Sequence, residues 1–439
     1  MKINKSIPLL LLIVLFTACK SAKYRRSVRN VDIKHITVKD TQFLKGDKPY
    51  YFVGANYWYG PLIAAKNIGD RERLVKELDA MKAVGIDNLR ILVGAEGDGG
   101  DSKVYPALQY EQGKYNKDLL DGLDFLISEM RKRKMYAVLY LNNNWIWSGG
   151  MSEYLKWNGY GDVPNPFLEQ YSWDEYMTYT KQFHSCKPCK DAYYNHLKFI
   201  IGRKNTYSGI KYSEDNTIMS WQVANEPRVL MTPEHEKAFA SWLNETVSLI
   251  KTLDPNHLVS TGTEGKHGFL EDMAMYKRLH TNKNIDYLTL HIWPKNWSWY
   301  NIDNEAQTTE ESIEKTYKEM DEHIEVAKEL NKPLVMSEFG FPREKESLSP
   351  SASIENRNKY YKAVFNRVIE SYKNQDVLAG ANFWGFAGFA KTNPENGKWQ
   401  HGDDFTADPP QEPQGLNSVF ASDSTTLGLI KEANHELID

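Results

Sequence analysis

Apolar runs of five to eight residues recur along the chain, and most are followed by a stretch whose apolar positions fall three and four apart. The first spacing reads as a strand buried on both faces, the second as a helix covering it. Strands are predicted at 51–58, 88–93, 136–142, 217–227, 258–264, 287–293, 333–340 and 379–388. Helices are predicted at 71–84, 119–132, 174–201, 234–252, 309–330 and 354–372. Residues 143–173 read as a long insertion rich in Trp, Gly and Pro. Eight strand-then-helix units predict α/β architecture, a closed (β/α)8 TIM barrel, rather than an open doubly wound sheet. No glycine-rich phosphate-binding pattern follows any strand, which weakens a nucleotide-binding reading.

The N-terminus breaks this rhythm. Lys2 and Lys5 precede an apolar run at 7–16, then Thr17, Ala18 and Cys19. This order describes an export signal, too short to span a membrane. A Cys directly after Phe-Thr-Ala resembles a bacterial lipobox, in which Cys19 is lipidated. The expected organisation is a signal peptide at 1–18, a lipid anchor and tether at 19–33 whose Lys/Ser/Arg-rich part (20–30) is flexible, and one catalytic domain at 34–439. The chain is expected to be exported, as a lipoprotein on either face of the outer membrane or as a secreted protein, and to meet the membrane only through that lipid. Cys186 and Cys189 are the other cysteines; an oxidising compartment favours a disulfide between them over free thiols or half a zinc site.

A net charge of −4 gives no reason to expect nucleic acid. Aromatic residues make up 13% of the chain, which suits a ligand with flat apolar faces and many hydroxyls. In a barrel of this kind the chemistry sits at the C-terminal ends of the strands. Those ends carry Arg90, Asn225-Glu226-Pro227-Arg228, Glu264, His291-Ile292-Trp293, Ser337-Glu338-Phe339-Gly340 and Trp384. Glu226 and Glu338 follow apolar strands and precede turn residues. A carboxyl pair across a barrel mouth is what glycosidic cleavage requires, and a separation of about 5–5.5 Å is expected for a retaining pair. Glu226 is expected to hold a proton and Glu338 to stay ionised beside Arg90. No residues stand at metal-ligand spacing, so neither metal nor cofactor is expected. His257, His267 and His280 read as surface or loop residues, Trp221 as core, and Trp58, Trp145, Trp147, Trp293, Trp297, Trp299 and Trp384 as rim.

Asn225-Glu226-Pro227 after Trp221-Gln222-Val223, and Glu338-Phe339-Gly340 after Leu334-Val335-Met336, resemble clan A glycoside hydrolases, specifically family five. The resemblance spans about residue 34 to the C-terminus. It implies that Glu226 is the acid/base and Glu338 the nucleophile. It also implies that Asn225 meets the sugar 2-OH, that Arg90 and His291 orient the carboxylates, and that Trp384 stacks on the sugar being cleaved. Trp293 stands where the family usually has a Tyr whose phenol bonds the nucleophile; Trp145 is a candidate to take that role. The residues around Glu264, the run 291–297 and the run 408–415 resemble the endo-β-1,4-mannanase branch, in which an Arg at the place of Arg228 binds sugar on the leaving-group side; Glu264 reads as a sugar contact or, alternatively, as the cap of a loop. The expectation is a monomeric endo-β-1,4-mannanase acting on mannan, galactomannan or glucomannan. The alternatives are a β-1,4-endoglucanase, a catalytically silent glycan-binding lipoprotein, and an exo-acting mannosidase if the insertions at 143–173 or 391–415 block one end of the cleft.

Overall fold

A computed structural model describes residues 24–438, except 101, 231 and 394–396. Eight parallel strands form the central sheet: β1 (Phe52–Asn56), β2 (Asn88–Leu92), β3 (Tyr136–Tyr140), β4 (Ile218–Gln222), β5 (Leu258–Ser260), β6 (Leu288–Ile292), β7 (Leu334–Phe339) and β8 (Leu378–Phe383). They are hydrogen-bonded in the order β5-β4-β3-β2-β1-β8-β7-β6. The remaining seam, between β5 and β6, is bridged by the Asp286 amide donating to the Val259 carbonyl at 2.8 Å. The Thr289 hydroxyl donates to the Thr263 carbonyl across the same seam, also at 2.8 Å. The chain is thus a nearly closed (β/α)8 barrel. Its strands are buried along their whole length because barrel filling covers one face and helices cover the other.

The outer ring consists of α1 (Arg71–Ala83), α2 (Lys117–Lys132), α3 (Lys187–Ile201), α4 (Glu236–Leu253), α5 (Met273–Leu279), α6 (Glu305–Leu330), α7 (Glu355–Asn374) and α8 (Ser424–Glu436). The helix expected at 174–201 is broken. A helix at Trp173–Thr180 and a 3₁₀ stretch at Lys181–Ser185 stop at Cys186, which adopts an extended backbone and caps α3. Cys186 and Cys189 form a disulfide there, as the export reading favoured. Pro188, in the first turn of α3, has no amide hydrogen to lose, so the new helix starts where the old one ends. The insertion at 143–173 is not wholly irregular, since Gly150–Trp157 is helical.

Two further segments differ from the sequence reading. Residues 24–29 are helical and docked, not a free tether. The Tyr24 hydroxyl donates to Glu129 at 2.7 Å, Val28 is fully buried, and Arg131 donates to the carbonyls of Val28 and Val31. The expected signal peptide, Cys19 and the first part of the tether lie outside the described residues. At the other end, α8 has a periodicity too weak to identify from sequence, yet it closes the barrel. Asn434 on α8 accepts from the Val53 amide and donates to the Val53 carbonyl, both at 3.0 Å, doubling as a ladder partner for β1.

The loop leading into α8 is held by a buried guanidinium. Arg357 on α7 donates to the carbonyls of Phe341, Leu416 and Ser418 at 2.8–2.9 Å. Replacing it with Met would strand three buried acceptors, each costing about 1–3 kcal/mol. Arg357→Met is therefore expected to lower the unfolding free energy by at least about 3 kcal/mol, read as a fall in the urea midpoint at constant slope.

Candidate active site

The C-terminal ends of the strands open into a cavity of about 420 Å³. Glu226 and Glu338 lie in it with Asn225, Arg228, Glu264, Trp145, Trp293 and Trp384. One carboxylate oxygen of Glu226, one of Glu338 and a ring nitrogen of His291 all fall within 4.8 Å of one another.

Glu226 reaches this position through an unusual backbone. Past β4 the ladder continues as single bonds, Asn225 N–H to the Asn142 carbonyl and Glu226 N–H to the Gly262 carbonyl at 2.8 and 2.9 Å. Glu226 itself has φ 49°, the left-handed region that non-glycine residues rarely enter. Gly262 opposite must be glycine: its φ is +78°, and a Cβ there would lie 2.0 Å from the Ala224 carbonyl oxygen. The acid side chain is therefore aimed by a turn that neighbouring strands impose.

Arg90, fully buried in the middle of β2, organises the floor. It donates to Gln222 at 2.7 Å, Asn225 at 2.8 Å and Asn56 at 3.1 Å, and it also contacts Glu338. Its guanidinium lies 4.4 Å above the ring of Tyr140. His291 sits between the carboxyls, with Nδ1 2.7 Å from Glu226 and 3.4 Å from Glu338, and Nε2 2.9 Å from the Ser337 hydroxyl. Burial first, and the charge of Arg90 next, hold its imidazole well below the usual range, so it is neutral.

Burial also raises both carboxyls. For Glu226 this is opposed by Arg228, by the Trp145 N–H and by Arg90; for Glu338 by Arg90, while the charge of Glu226 adds to it. The expectation that only Glu226 is raised is thus too simple. Two buried carboxyls this close titrate together and share one proton over a wide pH range. The direct contact of Arg90 with Glu338 biases that proton toward Glu226.

The Trp145 indole donates to Glu226, not to Glu338, so it does not replace the family's Tyr. Nor does Trp293, whose indole N–H has no protein partner among the described residues. Trp293 is an aromatic wall, 5.9 Å from Trp384 edge to face and pressed against Gly340, where a Cβ would come within 2.6 Å of the ring. Arg228 and Glu264 form a two-pronged ion pair at 2.5–2.6 Å, and the Arg228 guanidinium lies 4.7 Å over Trp145. Both line the cavity as part of one wall.

Several readings are corrected. Trp58 is core, its N–H donating to the Ala407 carbonyl at 2.7 Å. Trp299 packs on Trp297 rather than lining the cavity. His257 and His280 are buried, bonded to Asp254 and Thr261 respectively. His267 is stacked on Trp297 at 3.7 Å. Trp221 is core, as expected. Sequence reasoning missed Asn56, Tyr140 and Gln222, which hold Arg90; each is the last residue of its strand, but the predicted runs extend past it and it reads as filling. Ser337, beside Glu338, has no role in the sequence reading, yet its hydroxyl lies 2.9 Å from His291 Nε2. Sequence reasoning also missed Glu412, which lines the cavity from the loop after β8. Burial, with the charges of Asp408 and Glu226 adding to it, pushes the Glu412 carboxyl up to about 8.

Two close carboxyls at the mouth of a parallel barrel, fixed by a buried arginine and walled by tryptophans, are the working parts of a glycoside hydrolase. The sequence profile of the GH family 5 beta-mannosidase-like group matches residues 33–439, and the chain belongs to that family. It is 31% identical over 363 residues to mannan endo-1,4-beta-mannosidase 5 of Arabidopsis thaliana, covering 78% of this chain and 77% of the plant protein. The family 5 mannosidase of Rhizomucor miehei superposes with a TM-score of 0.84 at 32% identity, covering 93% of this chain and 98% of the fungal one. The endo-1,4-beta-D-mannanase of Thermotoga petrophila superposes with a TM-score of 0.63 at 26% identity, covering 88% and 99%.

Trp145→Phe keeps the ring and removes the donor to Glu226. That bond favours the ionised carboxyl, so its loss raises the Glu226 pKa further. The alkaline limb of kcat/KM is expected to move to higher pH, measured on an aryl glycoside across pH 4–10 (roughly the range over which shifted carboxyls titrate).

Proposed function

We propose that the chain is a retaining mannan endo-1,4-β-mannosidase, with Glu226 as acid/base and Glu338 as nucleophile. The observation that carries this reading is the approach of a Glu226 oxygen to a Glu338 oxygen within 4.8 Å, short of the roughly 6.5–9.5 Å that an inverting pair keeps to admit a water beside the sugar. In the first step the Glu226 proton passes to the glycosidic oxygen while a Glu338 oxygen bonds to the anomeric carbon, and the leaving chain departs as an alcohol. In the second, Glu226, now ionised, takes a proton from water. That water attacks the anomeric carbon, the bond to Glu338 breaks and the sugar leaves with its original configuration. Neutral His291 holds the two carboxyls together without adding charge. Asn225, tied to Arg90, is presented to the 2-OH, which is axial in mannose. Trp384 and Trp293 supply faces for the sugar ring, and Arg228 with Glu264 and Trp145 supplies the wall met by the leaving chain.

The mannan assignment is supported by the plant relatives, which carry that name, and by the fungal mannosidase, a variant of which is described in complex with mannosyl-fructose. A second reading, exo-acting β-mannosidase, is favoured by one observation. The two insertions meet: Lys398 lies 5.9 Å over the ring of Phe167, and Phe167 packs edge-on against Trp173 at 5.5 Å. Phe167, Trp173, Pro409, Gln411 and Glu412 all line the cavity, so both insertions wall the pocket and shorten it.

Glu226→Gln and Glu338→Gln are each expected to lower kcat by at least about 10³-fold without loss of fold, and azide is expected to rescue Glu338→Ala with inverted product. Wild-type turnover in either Gln variant would overturn the assignment. Product profiles from mannan, glucomannan and carboxymethylcellulose decide the substrate and the mode. Mixed mannooligosaccharides from the outset support endo action, mannose alone supports the exo reading, and activity confined to the cellulose derivative excludes both. Arg90→Lys, which keeps the charge and loses the fork, is expected to cost about 10²-fold in kcat with little change in KM.

A further inference from the structure

The docked N-terminal segment fixes which way the barrel faces at a membrane. Glu129 and Arg131 belong to the last turn of α2, from which the chain turns through Lys134 into β3. That turn, and the loop after α3 that accepts from Arg25 at the Thr206 carbonyl, lie at the N-terminal ends of the strands. The segment also gives the Lys34 carbonyl to Tyr136 at the start of β3 and the Ile33 carbonyl to Asn216 just before β4. It therefore leaves the molecule on the face opposite the catalytic mouth.

The charge of that exit is one-sided. Arg25, Arg26, Arg29, Lys134 and Lys204 are exposed, and none has a carboxylate within ion-pair distance among the described residues. The carboxylates touching the segment are already taken: Glu129 by Lys132 and Arg133, Asp215 by Arg131, and Asp32 by Lys34. Tyr24 stands five positions after Cys19, a reach of at most about 18 Å. A lipid on Cys19 would hold these cations near the headgroups, where an anionic surface attracts each of them.

We propose that this basic exit face, built on residues 25–29 with Lys134 and Lys204, rests on an anionic lipid surface, and that the catalytic mouth points away from it. The proposal rests on lipidation of Cys19. Residues 24–33 then act as a docked strut between lipid and barrel, and polymer reaches the mouth from the aqueous side.

The test uses the full chain processed by a bacterial host and reconstituted into vesicles of phosphatidylglycerol and phosphatidylcholine carrying a headgroup nitroxide. A fluorophore is placed on Ser27→Cys in one preparation and on Lys398→Cys, beside the mouth, in another. Quenching several-fold stronger at position 27 than at 398 is expected. It should weaken in pure phosphatidylcholine vesicles and in Arg26→Glu/Arg29→Glu/Lys134→Glu, which keeps its hydrolysis of soluble substrate and its circular dichroism. Equal or stronger quenching at 398 in protein that carries the lipid overturns the face assignment alone. Protein that incorporates no palmitate at Cys19 overturns the anchor, and the proposal with it.

Discussion

The site depends on one buried guanidinium. Arg90 has no solvent, so every donor on it must find an acceptor inside the protein, and the acceptors it finds come from β1, from β4 and the turn beyond it, and from β7. Four parts of the chain far apart in sequence are thereby brought to one point, and the barrel supplies the rigidity that keeps them there. The cost of burying the charge is offset by its contact with Glu338 and by the amide oxygens of Asn56, Gln222 and Asn225. The same arrangement decides the chemistry. Glu338 touches Arg90 directly, whereas Glu226 feels Arg228 and Arg90 only at longer range and accepts from Trp145, so two identical functional groups become inequivalent; the division of labour proposed for them uses that asymmetry.

Much of this was legible from sequence for a simple reason. In a parallel barrel the residues at strand ends must face the mouth, so placing eight apolar runs also places their polar termini. Asn225, Glu226, His291, Glu338 and Trp384 were placed at the mouth that way, and Arg90 stood out as a charge inside an apolar run. What was hidden had no such signature. Asn56, Tyr140 and Gln222 close their strands, but the apolar runs continue past them in the sequence, so they read as filling. Trp58 and Trp145 are equally plausible rim residues by position, yet one faces the core and the other the acid. The break at Cys186 follows from its extended backbone, which a continuous run of helix formers on either side conceals. The docked segment at 24–33 was hidden by its own composition: a Lys/Arg/Ser-rich stretch reads as solvated unless the Glu129 carboxylate and the Arg131 guanidinium waiting on α2 are known.

The cavity combines a floor built from strands with walls built from the chain's insertions. The floor is made from strands and tolerates little change, as Gly262 and Gly340 illustrate. The walls are made from loops, held by Asp408, which accepts from the amides of Gly415 and Asn417 and the hydroxyl of Ser418. Loops held this firmly act as part of the fold, so the length of polymer accommodated is set by covalent sequence and packing more than by induced movement.

The bond between Asn434 and Val53 has a bearing on the order in which the molecule can come into being. The edge of β1 is completed by β8 on one side, and its amide at Val53 is satisfied by a residue on the last helix, 381 positions away. A chain emerging N-terminus first can pair this strand with β2 early, but its β8 side and its Val53 amide stay without partners for almost the whole of synthesis. Loop closure over such a separation is slow, and a half-paired apolar strand invites the wrong neighbour. The barrel cannot lock before its final residues have arrived, so the last helix sets the earliest moment at which the fold can be completed.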